Sequence, residues 1–337
     1  MSDEIAPSRI LQLGTGFWGP KVLLSAVEIG LFTELGKGPL DADTLRQRLE
    51  LHKRSALDFF DALVALGMLE RKDGRYANTE ETARFLDAAS PDYVGGFVEM
   101  LNARLYRFWG TLTQGLRTGQ PQNEVATGEG DLFDALYSDP NRLRAFLQAM
   151  TGLSMGAAKA MAVKFPWAKH ERFFDVGCAQ GCVPVQVALA NPNITGGGFD
   201  LPVVGPIFEA YVKRFHLEGR LRFRAGNFFE DPLPESDVLA MGRILHDWDL
   251  EQKKVLLSKA HRALPKGGAL IIYESLIDDD RRENLAGLLM SLNMLIETRG
   301  GFDFTGRDCI DWMKEVGFRD AYVEHLSGPD SMAVGIK

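Results

Sequence analysis

Cysteine, positive charge and long apolar runs are all scarce in this chain of 337 residues, and each shortage removes a class of protein. The 3 cysteines, Cys178, Cys182 and Cys309, supply neither a disulfide framework nor a convincing metal set, which points to a reducing, cytoplasmic setting. Basic residues number 38 against 46 acidic ones, for a formal net charge of -8 and a pI near 5.4. That balance argues against nucleic acid or an anionic membrane as partner. No apolar run is long enough to span a bilayer, and the opening Met1-Ser2-Asp3-Glu4 is acidic and polar, wrong for a signal peptide. What remains is an ordinary globular composition, 25% charged and 45% hydrophobic, on a chain long enough for two domains and a substantial core.

A second absence is more specific. Phe173-Phe174-Asp175-Val176-Gly177-Cys178-Ala179-Gln180-Gly181 reads as a buried strand breaking into a glycine-punctuated turn, and the next strand, Gly196 to Phe199, ends on Asp200. Glycines let a backbone pass close under a ligand at the carboxyl edge of a parallel sheet, and an acid at the tip of the following strand can accept both hydroxyls of a ribose. A dinucleotide fingerprint would need a third glycine, but Cys182 and Val183 follow Gly181. Asp175, just before the turn, would repel a pyrophosphate and suits a cation such as the ammonium of S-adenosylmethionine (SAM).

Downstream, Leu221 to Phe229 is a third strand with its exit loop and Val238 to Gly242 a fourth. Arg243-Ile244-Leu245-His246-Asp247-Trp248-Asp249 then leads into a helix over 250–264 that stops at Pro265-Lys266-Gly267-Gly268, and Ala269 to Glu274 is a fifth buried strand. This stretch resembles the SAM-dependent O-methyltransferases of the caffeate and acetylserotonin type and their bacterial relatives in secondary metabolism. The likeness runs from about Leu11 to Lys337. It implies an α/β fold, a Rossmann-like seven-stranded methyltransferase domain with an N-terminal, mainly helical winged-helix dimerisation domain. The implied domains are 1–90 for dimerisation, 91–165 for a helical connector that roofs the acceptor site, and 166–337 for binding SAM.

Local patterning of the N-terminal third agrees. Val22 to Leu35 reads as an apolar helix, Thr44 to Leu49 as a short one opened by Asp41 or Asp43, and Ser55 to Leu66 as a third ended by Gly67. Leu69 to Tyr76 follows as a hairpin on Asp73-Gly74. A winged helix raises the rival of a DNA-binding regulator, but the third helix carries Asp58 and Asp61, with Lys53 and Arg54 only at its start. The resemblance instead implies a homodimer, to which Ile10-Leu11, Phe17-Trp18 and Val22-Leu23-Leu24 would contribute. In the connector, Gly119 to Asn123 and Gly128-Glu129-Gly130 mark the main loop.

Methyl transfer is an in-line displacement at a carbon already activated by a sulfonium, so the protein must align the acceptor and, for a hydroxyl, remove its proton. His246, whose type titrates near neutrality, is the natural base. By resemblance Glu274 orients it, and Asp303, after Gly300-Gly301, stands where the family has a glutamate, with Phe304 in place of an arginine. Asp303 is shorter by one methylene, and its other reading is a cap for the helix near Thr305. The implied cofactor contacts are Asp175, Gly177, Gly181, Asp200, Leu201, Gly226, Asn227, Phe228, Arg243 and Ser154. Asn227 replaces an aspartate facing the adenine amino group, and its amide oxygen can still accept that bond. The implied contacts to the small-molecule acceptor are Tyr106, Trp109, Met155, Asn293 and Met294. The acceptor atom stays open between a hydroxyl oxygen, a thioether sulfur and a carbon beside a ketone. No histidine lies between Ser275 and Glu324, where a third metal ligand would be sought, so no metal is expected.

Overall fold

The computed structural model describes residues 6–90, 92–124 and 140–337, so the expected opening Met1 to Glu4 and the loop Gly128-Glu129-Gly130 lie outside the described residues. The chain divides into two compact units, with the division between Arg107 and Phe108.

In the first unit the apolar run expected as one helix over 22–35 forms two, Trp18–Glu28 and Leu31–Leu35. Gly30 sits between them at φ +71, a left-handed conformation that ends the first helix. Helix Ala42–Arg48 starts at Asp41, whose carboxylate accepts the Thr44 N–H at 2.9 Å. Strands β1 (Leu40–Asp41), β2 (Leu69–Lys72) and β3 (Arg75–Asn78) form an antiparallel sheet in the order β1-β3-β2. Asp73 and Gly74 turn the hairpin at φ +49 and +72, the pair of positive angles that matches the twist of the flanking strands. Helix Ala56–Ala65 packs Phe60 and Leu63 inward with Phe32, Leu45 and Tyr76, and the rings of Phe60 and Tyr76 lie 5.5 Å apart. Ile10, Leu11, Leu13, Phe17 and Trp18 remain exposed, whereas Leu24 is buried and Val22 and Leu23 are half-buried against the unit's own core.

The second unit is built on seven strands: β4 (Arg172–Val176), β5 (Thr195–Asp200), β6 (Leu221–Ala225), β7 (Val238–Gly242), β8 (Ala269–Glu274), β9 (Asp320–Ser327) and β10 (Asp330–Ile336). Their order is β6-β5-β4-β7-β8-β10-β9; the first five run parallel, and β10 is antiparallel to both β8 and β9. The central strands are buried on both faces, which is why they read as unbroken apolar runs. Leu239, Met241, Leu270 and Ile272 pack on one side with Leu256, Leu257 and Met313. Val238, Ala240 and Ile271 pack on the other with Ala158, Met161 and Trp167. Each such aliphatic side chain contributes about 1.5–3 kcal/mol when buried, so a one-residue slip of β7 would exchange two fitted surfaces.

The strand order reverses at β4, which is flanked by β5 and β7. The crevice at the carboxyl ends beside such a reversal is where open α/β sheets hold ligands. Among the described residues no helix is long and apolar enough to cross a membrane.

Candidate active site

Two clusters meet this edge of the sheet. The first is the turn after β4. Gly177 and Gly181 adopt φ +74 and +96, and a Cβ on them would lie 2.3 Å from the Ile244 side chain and 2.7 Å from the Phe208 ring. Only glycine fits at either place. Asp200 at the tip of β5 is buried, and its two oxygens accept the N–H groups of Ala179 at 2.9 Å and Leu201 at 2.7 Å. Leu201 thus acts here through its backbone, anchoring the carboxylate. Each oxygen keeps a further lone pair for a ligand hydroxyl. Burial pushes Asp200 up to about 6, and pushes Asp175 well above the usual carboxylate range, with the Asp200 charge adding to it.

The remaining residues expected around a nucleoside have partners of their own. Gly226 donates its N–H to the Asp200 carbonyl, and a Cβ there would meet the Phe199 ring at 2.6 Å. The Asn227 amide oxygen already accepts the Phe229 N–H at 2.9 Å. Phe228 stacks edge-on with Phe229 and Trp248. Ser154 is buried beside the Tyr273 side chain. Arg243, at φ +55 after β7, donates from Nη2 to Asp330 at 2.7 Å, and Ser275 donates to the other Asp330 oxygen at 2.7 Å. The Arg243 Nε is buried without a partner among the described residues. A glycine-lined turn, two buried carboxylates and an unpaired guanidinium nitrogen have the donor and acceptor chemistry that SAM, with its ribose, ammonium and carboxylate, requires.

The second cluster is carboxylate-rich. His246 sits on a short 3-10 turn after β7, with its Nδ1 3.4 Å from Asp303 and 3.6 Å from Glu274. Its Nε2 is 3.5 Å from Asp247. Glu274 ends β8 and is anchored by the Ile244 N–H at 3.2 Å. Asp303 therefore reaches the imidazole. It is not the helix cap: Thr305 caps helix Gly306–Glu315 in a reciprocal box with Asp308, and both Asp303 oxygens are buried without a hydrogen bond among the described residues. His246, Glu274 and Asp303, the three residues that the resemblance grouped for catalysis, are also close enough to hold one metal ion between them. Burial alone would lower His246, but the carboxylates of Glu274, Asp247 and Asp303 outweigh it and push the imidazole up to about 10. Burial pushes Glu274 up to about 7 and Asp247 up to about 6, against the pull of the neighbouring imidazolium.

The acceptor residues divide. Trp109 donates its indole N–H to the Asn293 side chain at 2.9 Å, which ties the start of the second unit to helix Leu285–Glu297; Met294 on that helix is buried. Met155 packs half-buried against the core beside Met161 and Trp167. Tyr106 belongs to the first unit, where the Lys21 ammonium lies 5.3 Å from its ring centroid.

Three features escaped the sequence reading. Asp247 was read only as part of a motif, and Gly301 only as a marker. A Cβ on Gly301 would lie 2.5 Å from the His246 carbonyl, so this glycine lets the Asp303 segment lie against the His246 turn. Lys253 is fully buried; its signal was a cation on the apolar stripe of Leu256, Leu257 and Ala260.

A mixed sheet with a glycine turn and a buried strand-tip acid at its strand reversal, beside a histidine held among carboxylates, fits the class of SAM-dependent methyltransferases. The O-methyltransferase domain family matches residues 109–319 and the O-methyltransferase dimerisation domain matches residues 11–88. The tetracenomycin polyketide synthesis 8-O-methyl transferase TcmO of Streptomyces glaucescens is 40% identical over 98% of this chain and 97% of its own. The N,N-dimethyltransferase OxyT of Streptomyces rimosus is 34% identical over 99% and 97%. The crystal structure of human N-acetylserotonin methyltransferase in complex with SAM matches with a TM-score of 0.89 at 28% identity, over 100% of this chain and 99% of that one. This chain belongs to the O-methyltransferase family. It uses SAM for O-methylation of small molecules and carries an N-terminal dimerisation domain.

Proposed function

We propose that the acceptor is a phenolic hydroxyl on a fused aromatic polyketide and that His246 is the general base. The observation that carries the base is the direction of the imidazole: Nδ1 faces Glu274 and Asp303, so a proton held there leaves Nε2, with Asp247 3.5 Å away, to receive one from the acceptor. Similarity to the tetracenomycin enzyme supports the acceptor class.

When bound, SAM supplies a methyl group on a sulfonium, whose positive charge opposes protonation of a nearby imidazole. Asp200 would hold the ribose, Asp175 the ammonium and Arg243 Nε the carboxylate, with the Gly177–Gly181 turn and the Gly226-Asn227-Phe228 loop shaping the walls. Trp109, Asn293, Met294 and Met155 would shape the acceptor's side of the second unit. Glu274 and Asp303 hold the imidazole and stabilise its charge as the acceptor proton arrives on Nε2. A positioned base of this kind contributes roughly 10²–10⁴-fold in rate.

The exposed Ile10, Leu11, Leu13, Phe17 and Trp18 support a homodimer formed through the first unit. Three buried free thiols and the absence of a basic surplus are in keeping with a cytoplasmic enzyme that binds neither nucleic acid nor membrane. The test is His246→Ala, assayed on hydroxynaphthoates and larger polycyclic phenols. Turnover should fall by at least ~10²-fold with the SAM Kd within about twofold of the parent. Parent-like turnover would remove His246 as base, and turnover of amines but not phenols would overturn the acceptor.

A further inference from the structure

A fully buried lysine is rare because an ammonium leaves water only when its protons find acceptors. Lys253, on helix Leu250–Ala263, donates from Nζ to the Trp248 carbonyl at 2.5 Å and the Phe302 carbonyl at 3.0 Å, and lies 3.4 Å from the centroid of the Phe302 ring. These partners belong to two different segments. Trp248 closes the turn that carries His246, and Phe302 immediately precedes Asp303. The same segments touch where Gly300 and Gly301 pass under Asp249 and His246, with virtual Cβ distances of 3.0 and 2.5 Å. Two loops from distant parts of the chain are thus brought together by glycine contact on one side and by a single ammonium on the other.

Charge points the same way. Burial lowers the Lys253 ammonium to about 8, while Glu274, Asp303, Asp247 and Asp249 all favour its charged form. Three of those carboxylates face His246. A buried set of like charges needs a compensating cation. Lys253 is one within the fold, and no sequence motif named it.

We infer that Lys253 is a positioning residue for the general base: its ammonium ties the His246 turn to the Asp303 segment and balances the carboxylates that hold the imidazole. This rests on the general-base reading above. Lys253→Met keeps the length and removes donors and charge, while Lys253→Gln, one atom shorter, keeps two N–H donors and removes the charge.

Both variants are measured as full-length protein with the phenol that the parent turns over fastest, and SAM affinity is read by calorimetry. The kcat should fall roughly 10–10²-fold with the SAM Kd within about twofold, since misplacing a reacting group by about 1 Å costs up to ~10² in rate. In an Asp303→Asn background, Lys253→Gln should add less than about threefold, because the two residues serve one device. Parent-like kcat in Lys253→Gln overturns the inference, as does a full multiplicative loss in the double variant. A SAM affinity that weakens as much as kcat falls, or failure of both variants to fold, makes Lys253 a structural residue and overturns it too. Parent-like His246→Ala sinks the reading underneath; an inactive His246→Ala beside a parent-like Lys253→Gln sinks this inference alone.

Discussion

Lowering the pH should weaken SAM binding through Asp200. Burial raises this carboxyl to about 6, against the two backbone N–H groups that favour its ionised form. A folded-state value above the usual carboxylate range means that the proton is taken up as pH falls through about 6, while the ribose hydroxyls need the ionised acceptor. At pH 8 almost every Asp200 is charged; at pH 5, one unit below about 6, roughly one in ten is. The SAM Kd should therefore be about tenfold weaker at pH 5 than at pH 8, and binding near pH 6 should release a proton. Calorimetry in buffers of differing ionisation enthalpy measures both. Asp200→Asn should weaken binding by roughly 10²-fold, because charge-assisted hydrogen bonds worth about 1.5–3 kcal/mol each are lost. The amide also has only one oxygen where the Ala179 and Leu201 N–H groups need two. In this variant the step near pH 6 should vanish. A Kd that stays flat from pH 5 to 8 in the parent, or a step that survives in Asp200→Asn, would refute the placement of the ribose.

Gly301→Ala puts a methyl 2.5 Å from the His246 carbonyl and 2.8 Å from the Asp247 carbonyl carbon, so backbone must move. The variant should lose about 1–3 kcal/mol of stability and roughly 10-fold or more in kcat, read by thermal melts and kinetics; parent-like kcat would show that the two loops need not touch. Asp303→Asn removes a charge 3.4 Å from His246, one of three that raise the imidazole to about 10. Activity that needs the neutral base rises with pH through that value, so the rising limb of kcat/KM should move to lower pH by about 1–3 units; an unmoved limb would separate Asp303 from the base. The double variant Leu13→Glu, Phe17→Glu places charges on an exposed apolar face and should shift sedimentation from dimer to monomer, while an unchanged dimer would place the interface elsewhere.

Short-range chemistry was legible in the chain. The Asp73-Gly74 hairpin, the turn from Gly177 to Gly181, Asp200 at a strand tip and the Asp41 cap all depend on backbone angles and neighbours within a few residues, which local sequence specifies. The unbroken apolar runs of β7 and β8 announced strands buried on both faces. Even there one glycine was missed, since Gly30 splits an apolar stretch that reads as a single helix.

Tertiary structure decided what local rules cannot reach. Whether the shortened Asp303 side chain meets His246 depended on Gly301 letting two loops close, not on the length of the side chain. The use of the Arg243 Nη2 for Asp330 joins positions 87 residues apart, which no motif contains. Lys253 lies on a stripe of helix whose burial is set by the sheet beneath it, so a residue type that usually faces water became a buried tie. Sequence determines which groups are present and how each short segment turns; which of them share a buried volume, and so shift one another's protons, depends on the packing of segments far apart in the chain.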